Sequence, residues 1–76
     1  MNNSEDYSKL NMDFGKRVRE LRKEKKISTI EMSRRCFIDS GNYVRIEQGK
    51  TNPTLRTIYK ICVALEITLS ELFSTL

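Results

Sequence analysis

The sequence predicts an all-α fold, a compact domain of five short helices, and three observations support that prediction. Apolar residues recur three or four positions apart in separate segments, which is the spacing of one helix face. Ser, Thr or Asp, the residues that cap helices, stand before these segments. A chain of 76 residues has room for one core, which must come from packing these faces together.

The first helix is predicted to begin at Asp13, whose carboxylate can cap the first amides, and to fade near Lys26. Its inward face is formed by Phe14, Val18 and Leu21. Residues 1–11 have no apolar period, so we interpret them as a flexible N-terminal arm. The folded domain is therefore expected to cover residues 12–76.

The second helix is predicted to start after Ser28, because Ser28 and Glu31 have the spacing of a capping box. Met32 and Cys36 would face inward, and the helix should end around Phe37.

The third helix is predicted from Ser40 to about Gln48, with Asp39 as its cap and Gly49 as the left-handed residue that ends it. Its inward residues would be Tyr43 and Ile46.

Two more helices follow the Pro53 connection. Thr54 should cap the fourth, and a second capping box, Thr68 with Glu71, should open the fifth. The expected core residues of these two helices are Leu55, Ile58, Cys62, Leu65, Leu69, Leu72 and Phe73.

Composition excludes several function classes. The chain has no histidine, and Cys36 and Cys62 lie within apolar patterns, so triads and zinc sites lack their usual groups. We therefore expect no enzyme activity, no metal and no cofactor or small-molecule ligand. No apolar run is long enough to span a bilayer, and the polar, acidic start is unlike a secretory signal, so we expect a cytoplasmic protein without a membrane partner.

Positive charge is concentrated in one segment. Residues 15–26 hold seven basic and two acidic side chains, a net charge of +5, while the rest of the chain sums to −1. This polarity attracts a polyanion such as nucleic acid, and it is equally compatible with a solvated helix face.

Four segments in order and spacing, Val18–Arg22, Ser28–Met32, Ile46–Pro53 and Ile67–Phe73, make the chain resemble the Cro and repressor-type helix-turn-helix family, also called the xenobiotic-response-element family. The resemblance covers residues 13–74 without gaps. It implies a repressor-like DNA-binding domain whose third helix, at about residues 40–48, enters the major groove of double-stranded DNA. The apolar motif positions, which are expected to pack, are Met32, Cys36, Ile38, Tyr43 and Ile46.

The resemblance also implies which residues meet DNA. The base-reading positions correspond to Ser40, Gly41, Asn42, Val44 and Arg45. Arg45 can donate two hydrogen bonds to guanine, and its alternative role is a phosphate contact or a solvated side chain. Gly41 reads no base with a side chain. The phosphate-binding positions correspond to Ser28, Thr29, Gln48, Lys50, Thr51 and Asn52, and Thr29 can equally serve only the helix cap.

Arg22 and Glu47 match an ion pair of the family that joins the first and third helices, a structural role. Phe37 and Glu66 depart from the family, because they stand where glycine is usual and where positive φ is often required.

Tyr59 and Val63 lie four apart on the fourth helix, off its inward face. They are either isolated surface residues or a self-association patch, and the second interpretation gives a homodimer.

The leading functional interpretation is a sequence-specific transcriptional regulator, either a repressor or a small controller protein. The alternative is an antitoxin-like or other protein-interaction helix-turn-helix module. A membrane-surface helix is disfavoured, since the core needs the apolar face of the first helix.

Overall fold

The computed structural model describes residues 4–76, with side chains from Tyr7 onward, and within this part of the chain all regular structure is helical. The five helices are α1 (Ser4–Glu24), α2 (Thr29–Cys36), α3 (Ser40–Glu47), α4 (Leu55–Leu65) and α5 (Leu69–Phe73). The prediction of an all-α, five-helix domain is confirmed. None of these helices is long and apolar enough to cross a membrane.

Helix α1 begins earlier than the sequence pattern predicts. It starts at Ser4, and Asp13 lies inside it, where the Asp13 carboxylate accepts a hydrogen bond from Lys9 Nζ at 3.1 Å instead of capping the helix. Residues 4–11, interpreted above as part of a flexible arm, are therefore helical, while residues 1–3 of that arm lie outside the described residues. The early turns contact the rest of the fold, since Asn11 donates to the side chain of Asn52.

The predicted caps of α2 to α5 are present, with one difference. Ser28 Oγ accepts from the Glu31 amide at 3.0 Å, but the Glu31 carboxylate turns away to Arg34 and Arg35, so only half of that capping box forms. The Thr68 and Glu71 box is complete, because each side chain accepts from the backbone amide of the other residue.

The core lies where α1, α2, α3 and α4 meet, and α5 closes it against α1 and α4. Its buried apolar residues are Phe14, Val18, Leu21, Ile27, Met32, Cys36, Tyr43, Ile46, Ile61, Cys62, Ala64, Leu65 and Leu72. Ile38 and Ile58 pack against this cluster and are partly buried.

Three residues predicted to be in the core remain exposed to different degrees. Leu55 is 74% exposed because it is the first residue of α4 and projects beyond the packed face, whereas Ile61 takes an inward position that the pattern did not assign. Leu69 stays 40% exposed at the start of α5. Phe73 is half covered by stacking on Phe14, with 5.8 Å between the ring centroids.

Left-handed residues end α2 and α4 without glycine. Phe37 has φ 55° and Glu66 has φ 59°, so the positive φ anticipated at both positions is present, and Lys26 after α1 shares it with φ 58°. Each of these conformations brings Cβ close to a carbonyl oxygen, which costs on the order of 1–2 kcal/mol. The fold therefore contains three residues with an unfavourable backbone conformation, whose cost the packing of the helices must offset.

Candidate nucleic-acid interface

The corner between α2 and α3 consists of Phe37, Ile38 and Asp39. The Ile38 amide donates to Ser33 O at 3.0 Å, which closes α2, and Ile38 itself packs on the core. The Asp39 carboxylate then accepts from the amides of Gly41 (3.0 Å) and Asn42 (3.3 Å), which opens α3. Because both helix ends are satisfied within three residues, α3 is held at a defined angle to α2.

Helix α3 has one buried and one outward face. Tyr43 and Ile46 are buried, as the motif positions require. The five base-reading candidates occupy the other side, with Ser40, Gly41, Asn42 and Arg45 exposed and Val44 half-buried. The sequence-predicted residues are thus gathered on one accessible surface of one helix.

Gly41 removes the side chain at the start of that surface. A Cβ built there would meet only Asp39 Oδ2, at 3.2 Å, so the fold itself does not require glycine by lack of space. The missing side chain of Gly41 leaves the backbone open at the first turn of α3, where a ligand can approach more closely than it could beside a larger residue.

The first group of phosphate-binding candidates lies at the start of α2. Ser28 is exposed, and its hydroxyl is the N-cap oxygen that accepts from Glu31 N. Thr29, the first residue of the helix, is half-buried and borders a cleft that it shares with Val44 and Gln48. The structure therefore brings Thr29 next to the outward part of α3.

The second group lies beyond the end of α3. Gly49 has φ 75°, and a Cβ there would come within 2.7 Å of Met12 Cα, so this position needs glycine for both conformation and space. Gln48 and Lys50 are exposed, and the Lys50 amide donates to Arg45 O at 3.0 Å, which ties this segment to α3.

Thr51 and Asn52 are less open than the sequence pattern suggests. Thr51 is half-buried, and its hydroxyl oxygen is buried without a hydrogen-bond partner among the described residues. The exposed Asn52 accepts from Asn11 Nδ2 through its Oδ1 at 2.5 Å, so its amide NH₂ group is the part left for a ligand. This contact could not be anticipated from the chain order, because 41 positions separate the two asparagines.

Arg22 and Glu47 meet beneath the interface. Arg22 Nε and Nη2 donate to the two oxygens of Glu47 at 2.7 and 3.1 Å, and Arg22 Nη1 donates to Ile27 O at 2.9 Å. The Tyr43 hydroxyl donates to the same carboxylate. Hydrogen bonding to Glu47 raises the pKa of Arg22 above its usual value, and burial, followed by the bond to Glu47, raises the pKa of Tyr43. Arg22 thus stays charged and Tyr43 stays neutral in the contacts that hold α1 against the end of α3.

The dimer candidates lie on the far side of α4. Tyr59 and Val63 are 60% and 58% exposed, and Leu55, one turn earlier, continues the same row. The sequence pattern missed Leu55 as a member of this surface because it assigned that residue to the core.

Two arginines that the sequence analysis did not single out brace the helix ends. Arg17 donates to the carbonyls of Leu72 and Glu71 at the end of α5, and Arg35 donates to Ala64 O at the end of α4. Cationic side chains at helix C-termini satisfy free carbonyls and complement the helix dipole. Part of the basic character of the chain therefore serves the fold and not a ligand.

A short helix held on a tight corner, with a packed inner face and an accessible outer face flanked by polar helix ends, defines this molecule as a helix-turn-helix DNA-binding domain. The chain belongs to the helix-turn-helix domain family, whose family model matches residues 15–75.

Two relatives show which helix-turn-helix proteins this chain is similar to. The chain is 44% identical over 62 residues to the control protein C.MunI of a Mycoplasma species, an alignment that covers 80% of this chain and 84% of that protein. Its fold matches the crystal structure of the restriction-modification controller protein C.AhdI of Aeromonas hydrophila with a TM-score of 0.79 and 35% identity, covering 82% of this chain and 94% of the other.

These comparisons confirm the resemblance drawn from the sequence and the interpretation of the chain as a DNA-binding transcription regulator. They give no support to the alternative of a protein-interaction module, and the relatives carry regulatory names and not those of enzymes.

Proposed function

We propose that this protein is a controller protein of the restriction-modification type, which binds its operator DNA as a homodimer and regulates transcription there. The observation that carries the proposal is the match to C.AhdI, which extends over 94% of that controller's chain. The 44% identity to a second control protein supports it from the sequence side.

In this proposal α3 lies in the major groove and reads bases with its outward face. Arg45 donates two hydrogen bonds to one guanine edge, which discriminates by about 1–3 kcal/mol against another base. Ser40 and Asn42 offer hydrogen-bonding groups at the first turn, and Val44 offers a methyl surface to thymine. Gly41 lets the helix start approach the base edges without a side chain between them.

Phosphate contacts on both sides of α3 hold it in register. The start of α2, with Ser28 and Thr29, supplies hydroxyl groups on one side. Gln48, Lys50, Thr51 and the NH₂ group of Asn52 supply the other side, on the segment that hydrogen bonds attach to α3 and α1. These contacts give affinity without reading sequence.

The twofold partner packs on the outer face of α4, the row of Leu55, Tyr59 and Val63. Three large apolar side chains spaced four residues apart are exposed on one face of α4, and clustered exposed apolar residues are typical of association surfaces. A twofold axis at this face would set two copies of α3 about 34 Å apart, over successive major grooves. As a DNA-bound regulator, the protein would reside in the compartment that holds the DNA, the cytoplasm of a bacterial cell.

The experiment that tests this function has two stages. Selection from a random duplex library identifies the preferred site, and fluorescence anisotropy then measures binding to that site and to a scrambled duplex over a range of salt concentrations. We expect a palindromic site that binds at least about 1,000 times more tightly than the scrambled duplex, with affinity falling steeply as salt rises. No selected consensus, together with weak and sequence-independent binding at low salt, would overturn the proposal.

A further inference from the structure

A cleft of about 330 Å³ opens between α1, α2 and α3. Its walls are formed by Arg19, Arg22, Thr29, Val44, Glu47 and Gln48. Thr29, Val44 and Gln48 are candidate DNA contacts from two different helices and the following segment. The cleft therefore opens onto the proposed DNA-binding surface, and α1 contributes to that surface through Arg19.

The charges in this cleft do not cancel. Both oxygens of Glu47 are occupied by Arg22, and the Tyr43 hydroxyl adds a further bond to one of them. Arg22 and Glu47 thus neutralise each other at the buried end. Arg19 is exposed, and its guanidinium is in none of the ion pairs among the side chains that the structure describes. The cleft keeps one uncompensated positive charge at its exposed wall.

We propose that Arg19 binds a DNA backbone phosphate at the mouth of this cleft, as a contact from α1 in addition to those of α2 and the segment after α3. This inference rests on the proposed function and adds a residue to it. A guanidinium donates two parallel hydrogen bonds to a phosphate, and the hydroxyl of Thr29, which lines the same cleft, supplies a further donor.

The neighbouring basic residues of α1 separate into two groups. Lys16 and Arg17 line a different cavity, which they share with Thr75 and Leu76 at the end of the chain, and Arg17 is already bonded to α5. Arg19 lies one helical turn before Arg22 on the side that faces α2 and α3. Of these residues, Arg19 therefore lies toward the proposed DNA-binding surface, whereas Lys16 and Arg17 lie toward the end of the chain.

The test compares three variants by fluorescence anisotropy on the selected duplex over a salt series. Arg19→Ala should lower the slope of log affinity against log salt by about 0.9 and weaken binding roughly 5–10-fold near 0.1 M salt, equally for all duplexes. Arg19→Lys should restore most of the slope, since it keeps the charge. Lys16→Ala removes the same charge from the side of α1 that borders Thr75 and Leu76, and it should leave the slope nearly unchanged.

Each outcome bears on a separate claim. If the wild-type protein binds its selected site and Arg19→Ala keeps the wild-type slope, the Arg19 contact is wrong while the proposed function stands. If Arg19→Ala and Lys16→Ala lower the slope equally, the effect is one of overall charge and the specific contact is refuted. If the wild-type protein selects no site, the proposed function fails and this contact fails with it. Thermal unfolding of each variant, expected near the wild-type midpoint because both residues are exposed, shows that the fold is intact.

Discussion

Arg22 on α1 and Glu47 at the last turn of α3 form a bidentate ion pair that is nearly closed to solvent, with side chains 10% and 7% exposed. The pair joins the first helix to the end of α3, the helix that carries the base-reading candidates. Gly15 allows this approach, since a Cβ at that position would lie 2.5 Å from Glu47 O. The angle of α3 is therefore fixed from both ends, by Asp39 at its start and by Arg22 at its finish.

Glu47→Ala should lower the free energy of unfolding by about 3–5 kcal/mol, because Arg22 would remain buried without its counter-ion. Urea denaturation followed by circular dichroism measures the loss. Glu31→Ala is the matched control, since it removes a carboxylate that also pairs with two arginines but lies at the surface, and its loss should be much smaller. Similar losses in the two variants would show that the buried ion pair contributes no more to the free energy of unfolding than the exposed ion pairs do.

Phe37→Gly should stabilise the protein by roughly 0.5–1 kcal/mol. The residue holds φ 55° and is 88% exposed, so glycine relieves the left-handed strain and loses little packing. Phe37→Ala keeps a Cβ and should show no such gain. Thermal unfolding midpoints of the wild type and the two variants measure these differences in stability. A glycine variant less stable than the alanine variant would contradict the prediction.

Arg45→Ala should relax sequence preference at one base pair of each half-site, whereas Lys50→Ala should weaken binding to every duplex alike. The first side chain lies on the outward face of α3, and the second follows that helix. Repeating the site selection with each variant provides the measurement. An unchanged consensus with Arg45→Ala would assign base reading to another residue.

Val63→Glu should shift the protein from dimer to monomer, because it places a charge at the end of the apolar row on α4. Sedimentation at micromolar concentrations reports the shift, and affinity for the full operator should fall at least tenfold while a half-site still binds weakly. Phe37→Glu places a charge at another exposed apolar residue, away from α4, and should leave the dimer intact. A wild-type protein that sediments as a monomer with and without DNA would refute the dimer.

The Cys36 thiol should couple stability to alkaline pH. Burial raises its pKa from 9.0 to about 11, so the unfolded chain loses this proton before the folded protein does. The stability contributed by the neutral thiol is complete below pH 9 and is lost as pH rises toward 11. The difference in unfolding free energy between wild type and Cys36→Ala should therefore shrink by about 1–2 kcal/mol between pH 8 and about 10.5. A constant difference would mean that the thiol ionises equally in both states.

Helices α2 to α5 and their caps could be predicted from the sequence because the signals are local. Ser28, Asp39, Thr54 and Thr68 each accept a hydrogen bond from an amide two or three residues later, and the apolar spacing that follows is set by the geometry of one helix. The outward face of α3 follows from the same geometry once Tyr43 and Ile46 are placed inward. The sequence alone therefore predicts the helix-turn-helix and the outward face of α3 that holds the base-reading candidates.

Contacts between distant parts of the chain decided the remaining features, and no local pattern encodes them. Helix α1 begins at Ser4 although its early turns lack an apolar period, and its contact between Asn11 and Asn52 joins positions 41 apart. Leu55 fits the apolar spacing of α4 yet lies beyond the reach of the core, since spacing fixes a residue's direction around a helix but not what stands opposite it. Arg19 is one of seven basic residues in its segment, and only the packing of α1 against α2 and α3 places it on the cleft beside Arg22, whose charge Glu47 already neutralises.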